Sequence, residues 1–334
     1  MKKLVAGVMA CALMAGAAFA GGSQDSGAAA APADSGNDTI VVGYAQVGAE
    51  SDWRTANTVS FQTTFVPENG YTLIFNDAQQ KQENQIRAIR DFIQQEVDYI
   101  VLAPVVETGW ETVLSEAKAA GIPVILSDRE VKVTDESLYV CWVGGNFVKE
   151  GEDAVKWLDA YLEEIGRGDE LMNVVILQGT IGASAQVGRT EGVTRLMGEK
   201  PERYNILAMQ TGEFTQSKGQ EVMESFLKAY PDIDIVIAEN DNMGFGAIDA
   251  IKAVGKKPGE DIIIITFDAV RAAFERIIAG EINCAVECNP LHGPRVAEII
   301  QKLEAGEPVE KKQYVDEGVF DIKNAAAELP NRAY

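Results

Sequence analysis

Residues 71–104 read "YTLIFNDAQQKQENQIRAIRDFIQQEVDYIVLAP". "YTLIFND" (71–77) and "YIVLAP" (99–104) are short apolar runs of strand length. The stretch between them, "QENQIRAIRDFIQQ" (82–95), sets Ile86, Ile89, Phe92 and Ile93 on one side and charges on the other. That spacing predicts a helix laying one face on a sheet. Strand, helix and strand in this order make a crossover unit, which calls for parallel strands.

The same unit repeats in both directions. Further strands are predicted at "TIVVGYA" (39–45), "PVILSD" (123–128), "YVCWVG" (139–144), "NVVILQG" (173–179), "YNILAMQTG" (204–212), "DIVIAEN" (234–240), "IIIITFD" (262–268) and "CAVECN" (284–289). Most are unbroken Val/Ile/Leu runs, as expected of parallel strands covered on both faces. A break is expected at "VGGNFVKEG" (143–151), where a Gly pair and a new helix follow the fifth strand. The fold class is therefore α/β, with two doubly wound lobes of about five strands each. In such sheets ligands gather beyond the carboxyl ends of the strands.

The chain has 334 residues and a formal charge of −22. So acidic a balance argues against a nucleic-acid partner, which needs basic patches. The N-terminus reads as a leader: "MKK", then the apolar "LVAGVMACALMAGA", then "AFA", with cleavage after Ala20. Residues 1–20 are thus expected to be a signal peptide and the mature protein to be exported. Residues 21–37, "GGSQDSGAAAAPADSGN", form a flexible linker with a reach of roughly 20–25 Å. Cys11, after "VMA", offers a loose lipid-attachment site as the alternative, although the apolar stretch before it is short.

Polar groups collect at the strand ends. Glu50, Asp52, Trp53 and Arg54 follow the first strand, and Asp128 and Arg129 follow the fourth. Arg189 opens a helix after the sixth. Asn240, Asp241 and Asn242 end the eighth, Asp268 the ninth, and Glu287 and Asn289 the tenth. Planar guanidinium and carboxylate groups suit neighbouring hydroxyls, and a Trp face suits the C–H face of a sugar ring. The set points to a neutral polyol or sugar, since an anionic ligand would not tolerate so many acids. Each residue alone has a plainer reading: a strand-end Asp or Asn caps the next helix, an Asp–Arg neighbour pair is a surface ion pair, and Trp53 lies on a lobe surface. Their conjunction at one predicted cleft carries the assignment.

Catalytic motifs are absent. His292 is the single histidine, which excludes a His-based triad and an HExxH zinc site. It is expected at a helix start or between lobes. "GTIGAS" (179–184) could cradle an anion or simply make a tight turn. Cys284 and Cys288 would stand about 13 Å apart on a strand, too far for a disulfide. With Cys141 they are expected as small apolar fillers. No cofactor and no metal are implied.

Several stretches also carry a family resemblance: "GYAQVGAESDWR", "FNDAQQKQENQIRAIRDFI", "APVVETGWETVLSEAKAAGIPVILSDR", "LQGTIGASAQVGR", "TGEFTQSKGQEVMESF" and "ENDNMGFGAIDAIK". From about residue 39 onward the chain resembles the periplasmic sugar-binding proteins of ABC importers, in the ribose-binding-like class, and within it the galactofuranose-binding members. The resemblance implies a type I periplasmic binding protein: two Rossmann-like lobes joined by a three-crossing hinge and closing on one monosaccharide. It places the N-terminal lobe at 38–143 plus 289–317 and the C-terminal lobe at 144–288 plus 318–334. It implies that Trp53 stacks on the sugar, that Arg54 donates to hydroxyls, and that Glu50, Asp128, Arg129, Arg189, Asn240 and Asp268 complete the ligand-binding set. The implied partners are a monosaccharide and the permease subunits of an ABC transporter, with a chemoreceptor as a further partner, and the protein is expected to be a monomer. "TFVPENGY" (64–71) departs from the more helical, charged stretch of the family, and Cys288 stands where ribose binders carry an amide, which argues against ribose. Two other functions share these features. A repressor's effector half has the same fold, but a leader stands where its basic helix-turn-helix would be. An enzyme could use Asp128, Asp268 or Glu50 as acid and base.

Overall fold

A computed structural model describes residues 39–334; the leader, the whole linker and Cys11 lie outside them. The chain begins β1 (Ile40–Gln46), α1 (Asp52–Thr64), β2 (Tyr71–Asp77), α2 (Gln82–Gln94), β3 (Tyr99–Leu102), α3 (Glu111–Ala119), β4 (Val124–Ser127) and β5 (Cys141–Gly144). It continues as α4 (Phe147–Glu164), β6 (Met172–Gln178), α5 (Ser184–Gly198), β7 (Tyr204–Thr211), α6 (Gln216–Ala229), β8 (Ile235–Ala238), α7 (Asp241–Ala253), β9 (Ile263–Asp268), α8 (Arg271–Ile278) and β10 (Cys284–Glu287). It closes with α9 (Gly293–Glu304), β11 (Lys312–Tyr314), β12 (Val319–Asp321) and α10 (Ala325–Glu328).

The strands form two six-stranded sheets, ordered β11-β5-β4-β3-β1-β2 and β12-β10-β9-β8-β6-β7. All ladders are parallel except β10 with β12. The chain passes to the second sheet after β5, returns after β10, and crosses a third time between β11 and β12. Every expected strand is present. The two edge strands β11 and β12 were not expected, because "KQY" and "VFD" are too short and too polar to show a period.

Local chemistry explains the elements. On α2 the buried residues include Ile89 and Phe92, with Ile86 and Ile93 at the border. Burying each such side chain stabilises the lobe by about 1.5–3 kcal/mol. Gly43 on β1 lets α2 approach, since a Cβ there would come within 2.6 Å of the Phe92 ring. Ser51 caps α1 by accepting from the Arg54 backbone N–H at 3.1 Å. The departure at 64–71 ends α1 with a single 3-10 turn, Pro67–Asn69, and Gly70 at φ +83° then starts β2.

His292 is fully buried at the start of α9, as one of its two expected places had it. Its Nδ1 lies 3.0 Å from Ser127 Oγ, and its Nε2 has no hydrogen-bond partner. Burial pushes its pKa down to about 4, against the pull of Asp128. A base with a lowered folded pKa stabilises above its ordinary value near 6.5 and loses that contribution as pH falls toward 4. Urea melts at pH 7 and pH 4.5 should show the native chain losing about 2 kcal/mol more than His292→Gln. Equal losses would remove this role.

Candidate functional site

The carboxyl ends of β1 and β4 face those of β6, β8 and β9 across a cavity of about 270 Å³. Its lining contains all eight residues expected from the strand ends: Glu50, Trp53, Arg54, Asp128, Arg129, Arg189, Asn240 and Asp268.

Each lobe builds its side from a buried ion pair. Arg54 donates from Nη2 to Asp128 Oδ2 at 2.6 Å and from Nε to Glu50 Oε1 at 3.0 Å. Arg189 donates from Nε to Glu150 Oε2 at 2.7 Å and from Nη2 to Asp268 Oδ1 at 3.3 Å. Asp128 and Asp268, at the ends of β4 and β9, adopt the left-handed region at φ +65° and +100°. Non-glycine residues rarely do so, at a cost of about 1–3 kcal/mol each, and such outliers cluster at functional sites. Neither carboxylate caps a helix: Asp128 accepts from Arg54 and Asp268 from Arg189.

The two aspartates differ electrostatically. Burial pushes Asp128 up, but Arg54 and Arg129 outweigh it and hold its pKa below the usual carboxylate range. Asp268 is pushed well above that range by burial, with Asp241 and Glu150 adding to it against the single opposing charge of Arg189. Arg129 is brought down to about 10 by burial and by the like charge of Arg54.

Hydrogen-bonding capacity remains inside the cavity. Glu50 Oε2 and Arg129 Nε are buried without partners. Buried polar groups are normally satisfied, so these two mark where a hydroxylated ligand would be read. Arg54 is less free than expected, because all three of its nitrogens donate to protein, with Nη1 on Gln46 Oε1 at 3.2 Å. Asn240 caps α7 through Met243 N–H at 2.9 Å and donates to the Phe214 carbonyl at 2.9 Å. Trp53 is buried and pinned by its Nε1 on the Cys288 carbonyl at 2.6 Å, with the Arg54 guanidinium 4.7 Å from its ring centre.

Other strand-end groups do not reach the cavity. Asp241 turns behind it to Thr266 Oγ1 and the Val270 N–H. Glu287 serves the C-terminus through Arg332 and Tyr334, and Asn289 accepts from the Leu291 N–H. Asp52 and Asn242 meet at the rim and bridge the lobes: Asp52 N–H donates to Asn242 Oδ1 at 3.0 Å, and Asn242 Nδ2 to Asp52 Oδ2 at 3.2 Å. Glu107 N–H to the Gly182 carbonyl and Glu130 N–H to Ser184 Oγ, each 2.9 Å, close another flank. "GTIGAS" is a turn, not an anion cradle, because the N–H groups of Gly179, Gly182 and Ala183 all have protein acceptors.

Ser51, Ala185, Phe214 and Cys288 also line the cavity and were not foreseen. Phe214 sits under Arg129, 5.1 Å from guanidinium to ring centre, at φ +61°. Its space exists because residue 179 is glycine; a Cβ there would come within 1.9 Å of the ring. That pairing joins the ends of β6 and β7 and leaves no signal along the chain. The three described cysteines are free and buried, as expected.

With this geometry the chain is a two-lobed binding protein in form. A family model described as a periplasmic binding protein domain matches residues 42–303, and the chain belongs to that family. It is 46% identical over 259 residues to the galactofuranose-binding protein YtfQ of Escherichia coli (strain K12), covering 76% of this chain and 79% of the relative. A crystal structure from Mycobacterium smegmatis in complex with β-D-fucofuranose is 46% identical, with a TM-score of 0.85 over 89% of this chain and 96% of the other. The binding protein of the arabinose ABC transporter from Shewanella sp. ANA-3, bound to α- and β-L-arabinofuranose, is 42% identical, with a TM-score of 0.82 over 88% of this chain and 95% of the other.

Arg189 is the charge on which the second lobe's side of the cavity rests. Replacing it by Met strands Glu150 and Asp268 in the interior, a change that typically costs about 3–5 kcal/mol. Denaturant titration at pH 7.5 should show a loss of that order. The loss should shrink at pH 5, because the stranded carboxyls can then take up protons. A loss below about 1 kcal/mol at both pH values would contradict this account.

Proposed function

We propose that the chain captures one monosaccharide in its furanose form, galactofuranose or a close relative, between its lobes and delivers it to the permease of an ABC importer. The observation that carries this reading is the cavity itself. It holds buried charged groups from both lobes, of which Glu50 Oε2 and Arg129 Nε, both of the first lobe, have no hydrogen-bond partner, beside the apolar faces of Trp53 and Phe214. Paired charges with spare hydrogen-bonding sites suit vicinal hydroxyls, and aromatic faces suit ring C–H groups. The ligands named for the relatives supply the ring form. Galactofuranose, fucofuranose and L-arabinofuranose share their ring hydroxyl pattern and differ in the exocyclic tail.

In this reading Glu50, Arg54, Asp128 and Arg129 bind from the first lobe, and Arg189, Asn240 and Asp268 from the second, while Trp53 packs on the ring. The first lobe comprises 38–143 plus 289–317 and the second 144–288 plus 318–334. The protein is a periplasmic monomer. It turns nothing over, so bound sugar is recovered unchanged after release. A chemoreceptor reading the closed form is a further partner. The second reading is another aldose, such as galactopyranose, arabinose or ribose, in the same role.

Titration calorimetry of residues 38–334, freed of carried-over sugar by unfolding and refolding, tests the proposal. A locked galactofuranoside should bind with a roughly micromolar dissociation constant, about −8 kcal/mol. Free galactose should bind at an apparent stoichiometry set by its minor furanose fraction. Tighter binding of a pyranose would replace the furanose claim, and no heat with any sugar would end the sugar reading. Arg129→Ala should weaken the furanoside by at least about 2 kcal/mol, because it leaves sugar hydroxyls unpaired and removes the second counter-charge of Glu50. Asn242→Ala, at the rim, should weaken it about threefold to tenfold by loosening the closed form. Unchanged affinity in Asn242→Ala would deny that the bridge to Asp52 holds the lobes together.

A further inference from the structure

Beside the cavity, which Cys288 also lines, the three interlobe crossings bring together two glutamates that the capture of sugar does not use. Glu150 comes from the first turn of α4, after the first crossing. Cys288 lies on the second crossing and Glu317 on the third. The Cys288 sulfur and one carboxylate oxygen from each glutamate lie within 4.8 Å of one another. Gly145, on the first crossing, fits against both carboxylates: a Cβ there would come within 2.3 Å of Glu317 Oε1 and 2.6 Å of Glu150 Oε1.

The charges do not balance. Arg189 is shared between Glu150 and Asp268, and among the described residues Glu317 has no ion pair. Glu150 is 98% buried, and its Oε1, beside the cluster, has no partner. Glu317 Oε1 accepts only a long bond from Asn289 N–H, 3.3 Å. The other groups facing the cluster are acidic as well: Asp128 and Asp268 from the strand ends, and Glu287 from β10, which is held by Arg332 and Tyr334. A buried carboxylate and a partly buried one this close, served by part of one guanidinium, cannot both stay ionised cheaply.

We propose that closing the lobes around the sugar takes up a proton at the Glu150–Glu317 pair, which makes the hinge a proton-coupled latch. The proposal rests on the sugar-binding reading above. In the closed form the crossings press the two carboxyls together and away from water, and burial together with Glu150 pushes Glu317 up to about 9. Opening admits water and relaxes the repulsion, so the open form holds the proton less tightly. A group whose pKa rises on closure favours closure below that raised pKa and loses the effect as pH passes through it. Sugar affinity is therefore highest in acid and falls toward pH 9, by at most tenfold per pH unit for one proton. A proton fits the cluster better than a divalent cation. The Cys288 thiol is pushed well above its ordinary range by burial and by both glutamates, and Arg189 already occupies Glu150 Oε2.

Calorimetry with the furanoside at pH 8, in buffers of different ionisation enthalpy, counts the protons exchanged. The native chain should take up between about 0.2 and 1 proton per sugar, and its affinity should fall by about threefold to a hundredfold from pH 7 to pH 9, in step with the uptake. Glu317→Gln should still bind, with the uptake and the pH dependence largely gone. Sugar heat with no proton uptake in the native chain overturns the latch and leaves the sugar reading intact. Uptake that persists in Glu317→Gln moves the proton to another group and also overturns it. Affinity that depends on added Zn²⁺ and is lost with EDTA would replace the proton by a cation. Absence of heat with every sugar would be a failure of the function itself.

Discussion

The molecule turns on the pairing of buried guanidinium groups with carboxylates at the ends of two parallel sheets. Arg54 on Asp128 and Arg189 on Asp268 and Glu150 place five acids and bases of the two lobes where water is largely excluded. An isolated charge there would be prohibitively costly, so each must be partnered and held in geometry. The sheets provide that geometry. Parallel strands end together, and the turns after β1, β4, β6, β8 and β9 open onto one space. The apolar cores behind them, Ile and Val runs sealed by α2 and its counterparts, are what make strained backbone at Asp128 and Asp268 tolerable.

This arrangement ties recognition to closure. Neither lobe completes the cavity alone, and the contacts at its margins are sequence-distant: Asp52 with Asn242, Glu107 with Gly182, Glu130 with Ser184. A ligand that satisfies groups on both lobes stabilises the form in which they meet, and a membrane partner can then distinguish closed from open by shape. Glu317, which has no ion pair among the described residues, lies on the third crossing beside Glu150.

Much of the site was legible in the chain because parallel α/β topology turns a sequence position, the end of an apolar run, into a place in space. All eight residues named from strand ends line the cavity. The same rule also named residues that do other work. Asp241 and Asn240 show why: a side chain at a helix start finds backbone N–H groups within reach, and that local bond competes with facing the ligand. Asn240 caps α7 and still lines the cavity, whereas Asp241 only supports its neighbours. Glu287 was drawn away by Arg332 and Tyr334, which follow it by more than forty residues. Phe214 was missed because its place depends on a glycine in another strand-end turn.

The amino-acid order by itself determined the alternation of strand and helix, the parallel sheets, the break between two lobes and the chemical character of the cleft, because these follow from local periodicity and from which residues end each apolar run. It could not decide which charge neutralises which. Nothing along the chain says that the three nitrogens of Arg54 meet Gln46, Glu50 and Asp128. Nor could it reveal that Glu150, Cys288 and Glu317, spread over 168 positions, share one hinge cluster. Pairing and burial are properties of distances between remote segments, and only the folded chain sets those distances.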